Sequence, residues 1–153
     1  MTDRIHKTLR VPLDRQTAFD LFTRELGDWW PVDSHSLAAS SGERPTDVTV
    51  EPRAGGKITE TLPDGTTADW ATITDWRPGE RLRVNWYVGR DPSEATDLTV
   101  DFTAEGDVTR VDLTHDGFDR LGPSGEETCA SYRTGWDTVL GTCYGGHCLK
   151  RAA

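Results

Sequence analysis

SGEETCASYRTGWDTVLGTCYGGH, residues Ser124–His147, is the stretch whose reading decides the fold. Tyr132, Trp136, Val139, Leu140, Cys143 and His147 recur there at helical spacing, and a stripe this apolar has to be covered. Pro123 closes the preceding loop, and Ser124 with Glu127 three residues later has the form of a capping box, so the pattern predicts a helix beginning at this point. Gly135, Gly141, Gly145 and Gly146 each cost roughly 1 kcal/mol relative to alanine in a helix interior. The helix end is therefore expected to fray or to approach another backbone closely. A long amphipathic helix of this kind needs a partner with one apolar face.

Working outward, residues 47–116 supply that partner. Short alternating runs are broken by Gly55-Gly56, Pro63-Asp64-Gly65, Pro78-Gly79, Arg90-Asp91-Pro92 and Glu105-Gly106-Asp107, the chemistry of tight turns. The runs read as an antiparallel meander of six strands with phases such as Leu82, Val84, Trp86 and Leu98, Val100, Phe102 turned to one buried face. A further strand, Ile5–Val11, precedes Pro12, with Lys7 imperfectly placed in its apolar phase. Asp14 is placed to cap a helix that buries Ala18, Leu21, Phe22 and Leu26, with Gly27 suited to a left-handed terminating position. Asp28-Trp29-Trp30-Pro31 and the Ser-rich loop to Pro45 are expected to cover one mouth of the sheet through a short helix or turn. The expected architecture is α+β: a curved antiparallel sheet of about seven strands wrapped around a long C-terminal helix, with one or two short helices between strands 1 and 2. One domain is expected over residues 1–153.

Composition excludes several functions. Lys and Arg number 17 against 26 Asp and Glu, a formal charge of −9 that repels nucleic-acid phosphates and anionic lipid surfaces. No apolar run approaches the roughly 20 residues of a membrane span, and Met1-Thr2-Asp3-Arg4 leads into a strand pattern without a signal-peptide core. A cytoplasmic protein without membrane insertion is expected. Cys129, Cys143 and Cys148, odd in number and crowded near one end, do not resemble a disulfide framework.

The order of these parts resembles the START-like, birch-pollen-allergen-like helix-grip superfamily (SRPBCC), in its bacterial branch related to the activator of the ninety-kilodalton heat-shock chaperone ATPase. The resemblance rests on Ala18-Phe19 with Phe22, Trp29-Trp30-Pro31 with Ser34-His35-Ser36, Glu51-Pro52-Arg53 with Gly55-Gly56, Asp69-Trp70, Trp76-Arg77-Pro78, His115 with Gly117-Phe118, and Gly135-Trp136 with Leu140. It implies a helix-grip fold with a cavity between sheet and final helix that takes a small, largely apolar molecule, without implying one chemistry. This chain departs from the family pattern at Gly145-Gly146-His147-Cys148, where a smoother Ala- and Leu-rich run is usual.

Strand parity places Glu60, Asp69 and His115 among inward apolar residues. Buried carboxylates and imidazoles must be hydrogen-bonded, hydrated or engaged by a ligand, so Glu60, Asp69, His115 and the mouth residue His35 are the catalytic candidates. The alternative for Glu60 is pairing with Arg10, Lys57 or an internal water, and for His115 a role closing the strand end. Trp29, Trp30, His35, Glu60, Trp86, Phe102, His115, Phe118, Tyr132 and Trp136 are the expected ligand-binding residues. Trp70, Trp76 and Tyr87 fall on the opposite phase and form a candidate exposed patch for a homodimer, unless a bulge near Asp69 breaks the parity. Cys143 and His147, four apart with Cys148 adjacent, lack the further ligands zinc needs, so no metal and no cofactor are expected. The leading reading is a binder of a small hydrophobic or aromatic molecule. A cyclase, dehydratase or hydrolase and a chaperone-activating interaction protein are the alternatives.

Overall fold

The computed structural model describes residues 4–32 and 34–152, so Met1–Asp3, read above as leading into the first strand, lie outside the described residues. The strands are β1 (Ile5–Val11), β2 (Asp47–Val50), β3 (Lys57–Thr61), β4 (Thr67–Arg77), β5 (Arg81–Trp86), β6 (Thr96–Glu105) and β7 (Val108–Asp116). They form one seven-stranded sheet in the order β1-β7-β6-β5-β4-β3-β2, and every pairing is antiparallel. β1 and β2 are neighbours among the strands in sequence yet occupy opposite edges, so the segment between them must cross the concave face. That segment carries α1 (Arg15–Thr23) and α2 (Leu26–Trp29). No helix among the described residues is long and apolar enough to cross a membrane.

Asp14 caps α1 as expected, its carboxylate accepting from the Thr17 amide at 3.1 Å and the Thr17 hydroxyl at 2.6 Å. Those bonds hold its carboxyl below the usual range. Gly27 does not terminate the helix in a left-handed conformation. It lies inside α2, where a Cβ would sit 2.9 Å from the Val48 carbonyl, so close approach to β2 is what demands glycine.

The terminal helix runs unbroken as α3 (Gly125–Trp136), a π-helical segment (Asp137–Tyr144) and α4 (Gly145–Ala152). A 3-10 turn over Phe118–Ser124 leads into it, and Ser124 makes no capping bond: its hydroxyl donates to the Leu121 carbonyl at 3.2 Å. The expected capping box is not formed. The π segment also corrects the expected stripe. Its i→i+5 bonding puts more residues in each turn, so the buried line becomes Trp136, Leu140, Tyr144, Cys148 at a spacing of four, and Cys143 and His147 rotate to half-buried positions. Tyr144 is fully buried and donates its hydroxyl to the Ala18 carbonyl at 2.7 Å, tying this helix to α1. The end does not fray, because Cys148 is buried and Gly145 packs closely on Leu9. Lys7, out of phase in β1, reaches Asp137 on the helix at 2.8 Å.

Two bulges in β4 overturn the expected outer patch. Ile58 pairs with Ala71 but Thr59 with Asp69, leaving Trp70 as the extra residue, and a second shift falls between Ile73 and Asp75. Each shift reverses which face the following residues take. Trp70 becomes fully buried, Asp69 turns outward to accept from the Thr59 hydroxyl at 3.0 Å, and Trp76 packs edge-on against Phe19 with centroids 5.0 Å apart. Tyr87 is also buried, its hydroxyl 2.9 Å from Thr72 Oγ1. Among the described residues, Leu149 is the large hydrophobic left exposed.

Candidate functional site

Five of the tryptophans form one cluster beneath the mouth. Trp30 stands at its centre, with ring centroids 5.8 Å from Trp29, 5.3 Å from Trp70, 5.6 Å from Trp86 and 5.9 Å from Trp136. Trp30 follows α2 in an extended conformation and begins a strap that runs to Ala38. The strap is held by its own bonds: Trp30 Nε1 donates to the His35 carbonyl at 2.7 Å, and Ser36 Oγ donates to the Val32 carbonyl at 2.6 Å.

Its far end is held by Glu60. This fully buried carboxylate accepts from the Leu37 amide at 2.8 Å, the Ala38 amide at 2.9 Å and the Trp70 indole at 2.8 Å. Neither Arg10 nor Lys57 is its partner: they bond to Glu105 and Thr72. The two amides open the short 3-10 helix Ala38–Ser41, so Glu60 adds from β3 to the cap that Ser36 Oγ makes locally on the Ala39 amide at 3.1 Å.

His115, also fully buried, lies on β7 opposite Leu98 and Ile5. The Trp136 indole, which can only donate, bonds His115 Nδ1 at 3.1 Å, so Nδ1 is the acceptor and Nε2 carries the proton. Nε2 donates to Thr96 Oγ1 at 2.7 Å, which donates onward to the Trp86 carbonyl at 3.2 Å. Burial pushes the imidazole down to about 3, with partial opposition from Asp97, so it is neutral at physiological pH.

Above these groups opens a cleft of about 320 Å³ between the strap, the end of β5 and α3. Of the expected ligand-binding residues, Trp30, His35, Trp86, Tyr132 and Trp136 line it, joined by Ser34, Ser36, Val88, Ser131, Gly135 and Val139. Trp29, Glu60, Phe102, His115 and Phe118 do not line it. Trp29 is bonded to the Leu21 carbonyl, Phe102 packs on Phe19 and Phe22, and Phe118 stacks on His115. Of the four catalytic candidates, His35 alone is at the cleft. The small residues that sequence reasoning missed, Ser131, Gly135 and Val139, repeat every four positions beside Tyr132 and Trp136, a signal present on the helical wheel.

Two polar groups face this space with bonding capacity to spare. Tyr132 Oη accepts from the Trp86 indole at 3.0 Å and keeps its own proton to donate, and burial raises its pKa further. The His35 ring is exposed, with Nδ1 2.7 Å from Ser34 Oγ. Deeper in, between sheet and helix, the interior holds a void of only about 20 Å³, lined by apolar residues including Phe22, Leu82 and Leu98 together with Trp30, Trp86 and Trp136.

Cys143, His147 and Cys148 do not converge on a metal. The Cys148 thiol is pushed up to about 11 by burial, and His147 Nε2 instead meets Glu25 at 2.9 Å. Glu25, Asp28 and His147 do bring donor atoms within 4.8 Å of one another, but Arg151 already holds both Glu25 oxygens, at 2.9 and 2.7 Å. That cluster closes the terminal helix onto the turn between α1 and α2.

Residues 13–142 match the family of activator of Hsp90 ATPase homolog 1-like proteins, and the chain belongs to that family. Among solved structures, Txn09, an anthrahydroquino-gamma-pyrone synthase complexed with SUM, is 31% identical, with 83% of this chain and 84% of that chain covered at a TM-score of 0.58. The self-sacrificing resistance protein CalC from Micromonospora echinospora is 23% identical over 97% of this chain and 95% of its own, at 0.64. Protein MLL2253 from Mesorhizobium loti is 13% identical over 99% of both chains, at 0.68. The last two show likeness of fold. No curated protein matches the chain.

Proposed function

We propose that this member of the activator of Hsp90 ATPase homolog 1-like family binds a small planar aromatic molecule in the cleft between the strap and α3. The observation that carries this reading is the convergence of three indoles, Trp30, Trp86 and Trp136, on a cleft of about 320 Å³ beside the unspent donor of Tyr132. That volume lies at the lower end of the roughly 300–1,000 Å³ of small-molecule sites. Indole walls favour a flat ring system, and the Tyr132 hydroxyl selects an acceptor such as a quinone or ketone oxygen. The likeness to an anthrahydroquino-gamma-pyrone synthase supports the same class.

Hydroxylated naphthoquinones titrated against the purified protein are expected to quench tryptophan fluorescence and raise the melting temperature. Tyr132→Phe is expected to weaken that binding about tenfold, the loss of one hydrogen bond to a ligand oxygen. No quenching and no thermal shift across a series of one- to four-ring aromatics would remove the proposal.

The same likeness favours a second reading, in which the bound molecule is turned over and His35, supported by Ser34, moves a proton on it. His35→Asn is then expected to abolish turnover of a ligand that it still binds. Unchanged turnover would take His35 out of that role.

A further inference from the structure

Trp30 separates two spaces. It lines the outer cleft of about 320 Å³ on one side and the apolar interior void of about 20 Å³ on the other, and Trp86 and Trp136 are the other two residues common to both. These three are not equally fixed. Trp86 belongs to the sheet through pairing with Ala71 and Thr96, and its indole is bonded to Tyr132 on α3. Trp136 is inside the terminal helix, its indole bonded to the buried His115 network. Trp30 sits on irregular chain, its indole bonded only to the His35 carbonyl of the same strap, and at 8% it is the most exposed of the three. It can leave its place without breaking a bond to the sheet or the terminal helix.

We propose that Trp30 is the specificity-determining residue of the cleft, a movable partition that sorts aromatic ligands by ring count. A molecule of one or two fused rings stacks against the Trp30 indole as it stands. A molecule of three or more rings reaches past that indole only by displacing it and extending into the space between sheet and terminal helix. This inference rests on the reading of the cleft as an aromatic-ligand site and adds the residue that sets its depth.

The test compares 1,4-naphthoquinone-2-sulfonate with anthraquinone-2-sulfonate, each titrated calorimetrically against the native chain and Trp30→Ala. The readout is the ratio of the two dissociation constants within one protein, which does not depend on the folded fraction. Trp30→Ala is expected to shift that ratio by about tenfold or more toward the three-ring probe, because the two-ring probe loses its stacking wall while the three-ring probe no longer has an indole to displace. Trp30→Leu, which keeps apolar volume without a ring, serves if the alanine variant does not fold and is expected to shift the ratio the same way by a smaller factor. A ratio unchanged within about twofold in the folded variant overturns the partition while leaving the aromatic site standing. Absence of binding by either probe to the native chain overturns both.

Discussion

The floor of the concave sheet and the lip above it treat polar groups in opposite ways. On the floor, Glu60 and His115 are completely buried and completely bonded: one carboxylate receives three N–H groups, and one imidazole is fixed between an indole and a hydroxyl. At the lip, Tyr132 and His35 keep contact with the cleft and retain a donor or ring nitrogen for something else. A buried polar group left unbonded costs so much that the fold satisfies it internally, which removes it from ligand chemistry. Groups at the rim escape that demand because water meets it. Inward direction alone therefore does not mark a functional residue in this fold; unspent bonding capacity beside open volume does.

The contrast is broken most directly at Glu60. Glu60→Ala orphans two backbone amides and an indole, each worth about 1–3 kcal/mol when left unsatisfied, so a loss of several kcal/mol in urea-induced unfolding is expected. A loss below about 1 kcal/mol would mean that the floor is not the rigid frame described above. His115 sharpens the contrast through pH. Its folded pKa of about 3 lies below the ordinary value of 6.5, so on acidification the unfolded chain takes up the proton first. Its contribution to stability is full above about pH 6.5 and is lost as pH falls toward 3, with a slope approaching 1.4 kcal/mol per pH unit. Between pH 6.5 and about 5.5 carboxylate protonation is still minor, so a His115→Gln variant is expected to lack this limb in unfolding curves. The smallest effect belongs to the lip: His35→Asn is expected to change stability by no more than about 0.5 kcal/mol, the range of ordinary surface substitutions, and a larger loss would place His35 with the floor.

Much of the frame was legible in the residues. The alternation of Ile58-Glu60 and of Val111-Leu113-His115 put Glu60 and His115 on the inner face, because the side-chain period of a strand is two. Asp14 announced its helix through a local cap, and Trp30, Trp86, Tyr132 and Trp136 announced an aromatic lining. Two groups of errors share one cause. Asp69, Trp70 and Trp76 were misplaced because β4 carries two bulges, and Tyr144 and Cys148 were passed over because eight residues of the terminal helix take π geometry. Each inserts a residue into a regular period, and a sequence period can admit an insertion, as it did near Asp69, without fixing whether it occurs.

By itself, then, the sequence determined the number and order of strands, the helix that lies across them and the aromatic character of what they enclose, since these follow from periodicity and turn chemistry within a few neighbouring residues. Tertiary structure alone decided which polar groups are spent and which are available. Glu60 is bonded to residues 37 and 38 and to an indole turned inward by a bulge, and His115 to residues 96 and 136. Those partners are remote in the chain, and hydrogen bonding depends on distance and angle to a fraction of an ångström, which only the folded packing of sheet, strap and helix sets.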